Sequence, residues 1–195
     1  MSEGPEFATL PDYLEPGLDL VFVGINPGLY SVAQGHYFAR KTSRFWPALS
    51  ASKLSRNIRL GLRLEILTPQ QDALLPRFGI GFTDVVKRPS ANVSELTIKD
   101  FDYWIPVFLK KLKHYKPGVA CFHGIMGFRP FLKIGLKCLR REPSLGAQPE
   151  RVGDTWLFVV PNPSPANAHF RLADQVAWYD RLDDFLAQRR SMLEQ

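Results

Sequence analysis

Cysteine is scarce in this sequence, with Cys121 and Cys138 the only two in 195 residues. Two thiols cannot build a four-thiolate iron–sulfur cluster or a zinc site made of four cysteines. Cys121 lies in an apolar run and reads as a small core residue, and such sparse usage fits a reducing compartment. No apolar stretch reaches the roughly 18 residues that a bilayer span needs. The opening Met-Ser-Glu-Gly-Pro-Glu lacks the basic and apolar regions of a signal peptide. Together these absences predict a soluble intracellular protein, cytoplasmic if the source is bacterial, with no membrane partner. Neither G-x-x-x-x-G-K-[ST] nor G-x-G-x-x-G occurs, which disfavours nucleoside triphosphates and dinucleotide cofactors. Internal repeats and low-complexity linkers are also missing.

Negative charge is the minority sign, with 19 acidic against 25 basic residues and a formal charge of +6. That balance points to a polyanionic partner, nucleic acid first. The length suits one domain with a sizeable core. Residues 1–17, rich in Pro, Glu and Gly, read as an irregular lead-in, and 18–195 as the domain itself.

Short apolar runs at 18–23, 80–86, 119–123 and 156–160 read as strands. Helices are expected over 45–54, from Thr68-Pro69 onward, over 128–139, and from Leu172 to Leu186. Another follows the capping box Thr97-Ile-Lys-Asp100, with Phe101, Trp104, Ile105, Phe108, Leu109 and Leu112 spaced at three and four. Lys110, Lys111, Lys113 and Lys116 on its other face read as a solvated surface. The segments 26–44 and 141–151 read as loops. Strands alternating with amphipathic helices predict an α/β fold, a single three-layer α/β/α domain around a four-stranded, largely parallel sheet.

Ligands of such sheets bind where the carboxyl ends of the strands open into a crevice. Two segments stand there: Gly24-Ile25-Asn26-Pro27-Gly28 after the first strand and Pro161-Asn162-Pro163-Ser164-Pro165-Ala166-Asn167 after the fourth. Either Asn-Pro step alone reads as a plain turn. Two at one end of one sheet suggest a site.

With Gly35-His-Tyr-Phe38 and Arg44-Phe-Trp46 between them, in this order and spacing over residues 18–180, the two segments resemble the mismatch-specific uracil-DNA and thymine-DNA glycosylase family. The resemblance implies hydrolysis of an N-glycosidic bond in duplex DNA containing uracil or a mismatch, by a monomer needing no metal or cofactor. A base stacked in a duplex must be swung out before its sugar can be attacked. By the same resemblance, Asn26 holds the attacking water, Phe38 stacks on the base, and backbone groups around Gly24, Ile25, Gly28 and Tyr30 read its edge. Asn162 binds the flipped nucleotide, Ser164 contacts a phosphate, and Pro165, Ala166 and Asn167 enter the gap in the duplex. Some relatives carry a large aliphatic wedge about where Ala166 stands, and a methyl fills that space poorly.

Asp84, near the end of the second strand, is open to several roles: general base for the water, repulsion of phosphates, or a turn cap. Lys41, Arg44, Lys87 and Arg88 flank the expected site as phosphate contacts. The alternative function is a non-catalytic module that binds DNA lesions on the same fold. Strand scission at a G:U mismatch, against mere retardation of the duplex, separates the two.

Overall fold

Leu20–Gly24 (β1), Ile80–Asp84 (β2) and Val119–His123 (β3) are buried along their whole length, as strands covered on both faces must be. The computed structural model describes residues 7–193; the first six residues of the lead-in and the last two of the domain lie outside that range. Gly146–Val152 (β4) and Thr155–Val160 (β5) complete a sheet in the order β2-β1-β3-β5-β4. All neighbours run parallel except β4 against β5.

Successive side chains of β1 point to opposite faces and so seed two cores. Leu20 and Phe22 pack with Phe45 and Leu49 of α2 (Phe45–Ala51), Ile58 of α3 (Arg56–Leu62), and Tyr179, Leu182 and Leu186 of α6 (Leu172–Leu193). Val21 and Val23 pack with Ile105, Phe108 and Leu112 of α4 (Ile98–Tyr115) and with Phe128 of α5 (Ile125–Pro130). The result is the three-layer α/β/α arrangement. The Asp100 carboxylate accepts the Thr97 N–H at 2.8 Å, so the capping box opens α4 as its sequence predicts. No helix among the described residues is long and apolar enough to cross a membrane.

The sheet has five strands rather than four, and the extra one occupies the expected loop over 141–151. Its sequence, Gly-Ala-Gln-Pro-Glu-Arg-Val, hides the strand because only Gln148 and Val152 are buried. It sits at the sheet edge, where Pro149 is tolerated, and its register with β5 shifts between Ala147 and Arg151. Other spans differ as well, α3 among them, which falls between 54 and 68 where no element is expected. The expected loop over 26–44 contains α1 (Leu29–Gln34), and the helix expected over 128–139 is α5 followed by a single π turn, Phe131–Gly135. The lead-in is stitched to the sheet, Tyr13 and Phe82 exchanging backbone hydrogen bonds of 2.9 and 3.1 Å.

The chain passes from β1 to β2 on one side, then crosses back to place β3 on the other. That reversal makes the carboxyl ends of β1 and β3 the switch point of the sheet, where open α/β sheets bind their ligands.

Candidate active site

Gly24, Asp84, His123 and Val160 end β1, β2, β3 and β5 at the same edge of the sheet. The two Asn-Pro loops leave from that edge with only β3 between their parent strands. The second is tied to the start of α2: the Arg44 N–H donates to Pro163 O at 3.0 Å, and Arg44 Nη1 donates to Ser164 O at 2.9 Å and Asn167 O at 3.2 Å.

Asn26 is half-buried and held by its nitrogen. Nδ2 donates to Arg88 O at 3.0 Å, to Ser90 Oγ at 2.8 Å and, at longer range, to Pro27 O at 3.4 Å. A carbonyl only accepts, and the Ser90 hydroxyl proton is spent on Asn92 O at 2.8 Å, so the orientation of the amide is fixed. No described group donates to Oδ1. The side chain therefore presents one fixed, unused acceptor. Ser90 escaped the sequence reading, for nothing in Arg88-Pro89-Ser90 marks the segment as one that runs beside Pro27 and Gly28.

Asp84 pairs in register with Gly24, and the glycine is a steric necessity. A Cβ there would lie 2.2 Å from Asp84 Oδ1. Burial pushes the Asp84 carboxyl up to about 7; Lys87 opposes the shift and Asp12 adds to it. Its Oδ2 is buried without a hydrogen bond, and the Lys87 ammonium stands 3.8 Å away.

Phe38 stacks on Phe45 at 4.1 Å between centroids and 10° between planes, and its edge meets His123 at 5.0 Å. Its φ of 53° is costly for a phenylalanine, so the surroundings must impose it. They do so from both sides: Tyr37 N–H donates to buried Asp72 at 2.9 Å, Trp46 Nε1 to Tyr37 O at 2.9 Å, and Ala39 N–H to Ser31 Oγ at 3.3 Å. Of the expected edge readers, Ile25 already accepts the Val86 N–H at 2.9 Å, and Gly28 accepts that of Val32 at 3.0 Å. Tyr30 is exposed and lines, with Phe38 and Trp46, a cleft of about 670 Å3 whose lining includes residues 65–70 and neither Asn26 nor Asn162.

His123 was also missed, although its place at a strand end marks it. Burial lowers its imidazole to about 3, so it is neutral near pH 7, and Nε2 meets the Tyr179 hydroxyl at 3.0 Å. In the second loop Asn162 Oδ1 accepts the Ser164 N–H at 2.9 Å, leaving Nδ2 with no described acceptor. Gly124, at φ 93°, lets the backbone approach; a Cβ there would lie 3.1 Å from that of Asn162. Asn167 Nδ2 ties back to Asn162 O at 3.1 Å, and Pro165 and Ala166 stand exposed at the tip.

A family model for the Uracil DNA glycosylase superfamily matches residues 11–185. The chain belongs to that superfamily. It is 32% identical over 152 residues to the "G/U mismatch-specific uracil DNA glycosylase" of Schizosaccharomyces pombe, the match covering 77% of this chain and 45% of that protein. The chain thus spans about half the length of the relative it matches. A solution NMR structure from Methanosarcina acetivorans, described as a candidate uracil DNA glycosylase, superposes with a TM-score of 0.55 at 19% identity. It covers 90% of this chain and 97% of its own, and at that identity the likeness is one of fold.

The basic residues of this superfamily member depart from the sequence expectation. Lys87 is buried, its side chain only 6% exposed and bonded to Asp12 at 2.9 Å, so its ammonium cannot reach a phosphate. Arg88 is engaged with both oxygens of Asp100, at 2.6 and 2.9 Å, and with Glu95 O at 2.8 Å. Arg44 clamps the second loop. Lys41 alone of the four stands exposed, beside exposed Arg40. Among the described residues no group of three or more His, Cys, Asp or Glu could hold a metal ion.

Proposed function

We propose that this protein is a monofunctional DNA glycosylase that swings uracil, or a related mismatched base, out of duplex DNA and hydrolyses its N-glycosidic bond to leave an abasic site. The observation that carries the reading is the Asn26 amide, clamped through Nδ2 so that Oδ1 is free at the carboxyl edge of β1. Membership of the superfamily and the G/U-specific activity in the yeast relative's name supply the substrate class.

In this reading the everted base lies over Phe38, whose fixed ring offers a flat apolar surface at little entropic cost. Asn26 Oδ1 accepts a hydrogen bond from a water and aims its oxygen at C1′. The C1′–N bond breaks with its electron pair going to the base, the sugar passes through an oxocarbenium-like state, and the water oxygen bonds to C1′. An amide is too weak a base to take the proton. Asp84, poised near neutrality, is the acceptor. Asn162 Nδ2 donates to the everted nucleotide, and the tip of Pro165 and Ala166 enters the space it vacates. No step requires more than one copy of the chain, and a monomer acting on double-stranded DNA is the simplest assembly.

Single-turnover incubation with a duplex bearing one G:U pair tests the reading through alkali-labile scission at the uracil. Asn26→Ala should lower that rate about 100-fold, the scale of a lost positioning contact, with duplex affinity nearly unchanged. Retardation of the duplex without scission by the wild-type protein would establish the non-catalytic module instead.

A further inference from the structure

Behind the site, charged groups from four separate segments meet. Asp12 comes from the lead-in, Thr83 and Asp84 from β2, Lys87 from just beyond it, and Lys111 from α4. Asp12 Oδ1 accepts from Thr83 Oγ1 at 2.7 Å and from Lys87 Nζ at 2.9 Å, and its Oδ2 takes Lys111 Nζ at 2.5 Å. Lys87 Nζ also reaches the Tyr37 hydroxyl at 3.4 Å, but lies 3.8 Å from Asp84 Oδ2. One buried ammonium is thus shared unequally between two carboxylates. Lys87 is three residues from Asp84 and well placed to pair with it closely. Asp12 draws it off.

We propose that Asp12 is a positioning residue of this site: by holding the Lys87 ammonium to itself, it keeps that cation out of hydrogen-bonding distance of the Asp84 carboxylate, which is left able to take the proton of the attacking water. The proposal rests on the reading of Asp84 as the base. The groups facing Asp84 are Lys87 from the β2 exit, Asp12 from the lead-in, the Tyr37 hydroxyl from the loop before α2, Lys111 from α4, and only backbone from β1 at Gly24. Burial raises the Asp84 carboxyl, Lys87 lowers it and Asp12 raises it, in that order of size, so the two neighbours act in opposite directions. Asp12 itself is held below its ordinary value, since Lys87 and Lys111 outweigh its own burial. It is the partner that stays ionised.

Asp12→Asn keeps the size and the acceptor for Thr83 but removes the charge. Lys87 should then close on Asp84, and the acid limb of the single-turnover pH–rate profile on a G:U duplex should move down by about one pH unit, with a plateau about tenfold lower. Carbon-13 titration of the Asp84 carboxyl in the DNA-free protein should move by the same amount and sign, and Asp12→Glu should restore most of both. Lys87→Met should displace both upward. An Asp84 titration unmoved or raised in Asp12→Asn, or unmoved in Lys87→Met should the first variant not fold, overturns the proposal. If the wild-type protein excises no base, the glycosylase reading fails, while the titration still decides what Asp12 does to Asp84.

Discussion

At the scale of single residues, this site is built from what is left unsatisfied. Asn26 spends its nitrogen and keeps an acceptor, Asn162 spends its oxygen and keeps a donor, and Asp84 is buried with one oxygen unbonded. The last of these has a cost in stability whose sign can be worked out. A carboxyl at about 7 in the folded chain, against about 3.9 unfolded, binds its proton more tightly when folded. Its stabilising contribution is therefore complete below about pH 4 and is lost as the pH rises through about 7. Asp84→Asn should be more stable than the wild type at about pH 8, by up to about 4 kcal/mol, and match it near pH 4. Excision should fall about 100-fold in the same variant. Calorimetric scans across that range check the first part; equal stabilities at about pH 8 would mean that Asp84 is ionised at no cost. The placement of Gly24 and Asn26 at the end of β1, and of Asn162 just past β5, was legible because each follows a short apolar run that had to be a strand. The partners of Lys87 and Arg88 were not. A lysine or arginine in a sequence shows its charge but not its partner, and here Asp12 and Asp100 come from other segments of the chain.

At the scale of elements, the site depends on the second loop being held against the start of α2. Arg44 opens α2 and at the same time fixes three carbonyls of the second loop. Hydrogen bonds from a charged donor are worth about 1.5–3 kcal/mol each, and some of that is recovered by water when the donor is removed. Arg44→Ala should thus weaken binding of an abasic duplex about 10- to 100-fold, while the single-turnover rate at saturating enzyme falls much less, because Asn26 and Asp84 are held by other contacts. Fluorescence anisotropy alongside single-turnover kinetics measures the split; an unchanged affinity would mean that the loop keeps its shape alone. The parallel strands were readable as short, largely apolar runs, and α4 by its period and cap. The edge strand β4 was not, since one covered face and a register shift leave no alternation to see. Nor was α1, whose six residues follow a glycine N-cap that makes no side-chain hydrogen bond.

At the scale of the whole molecule, a charge of +6 suggests a strongly electrostatic grip on DNA, but the arrangement of that charge argues for a weak one. Of the cations at the site edge, Lys87, Arg88 and Arg44 are engaged internally. Lys110, Lys113 and Lys116 lie on α4 or at its end, and α4 finishes where β3 begins, so Lys113 and Lys116 sit near the opposite edge of the sheet. Exposed near the mouth are Arg40 and Lys41, before α2, and Arg171, just past the second loop; none forms an ion pair with a described residue. Each neutralised phosphate contributes about −0.9 to the slope of log affinity against log salt, so about three contacts give a slope near −3. Lys41→Ala should make that slope shallower by about one, whereas Arg88→Ala, whose guanidinium is committed to Asp100, should leave it unchanged. Titrations of a G:U duplex between about 50 and 200 mM salt measure both. A wild-type slope steeper than about −6, or an Arg88→Ala slope that moves as far as that of Lys41→Ala, would place the duplex across a different face of the protein, because the groups at this mouth cannot neutralise so many phosphates.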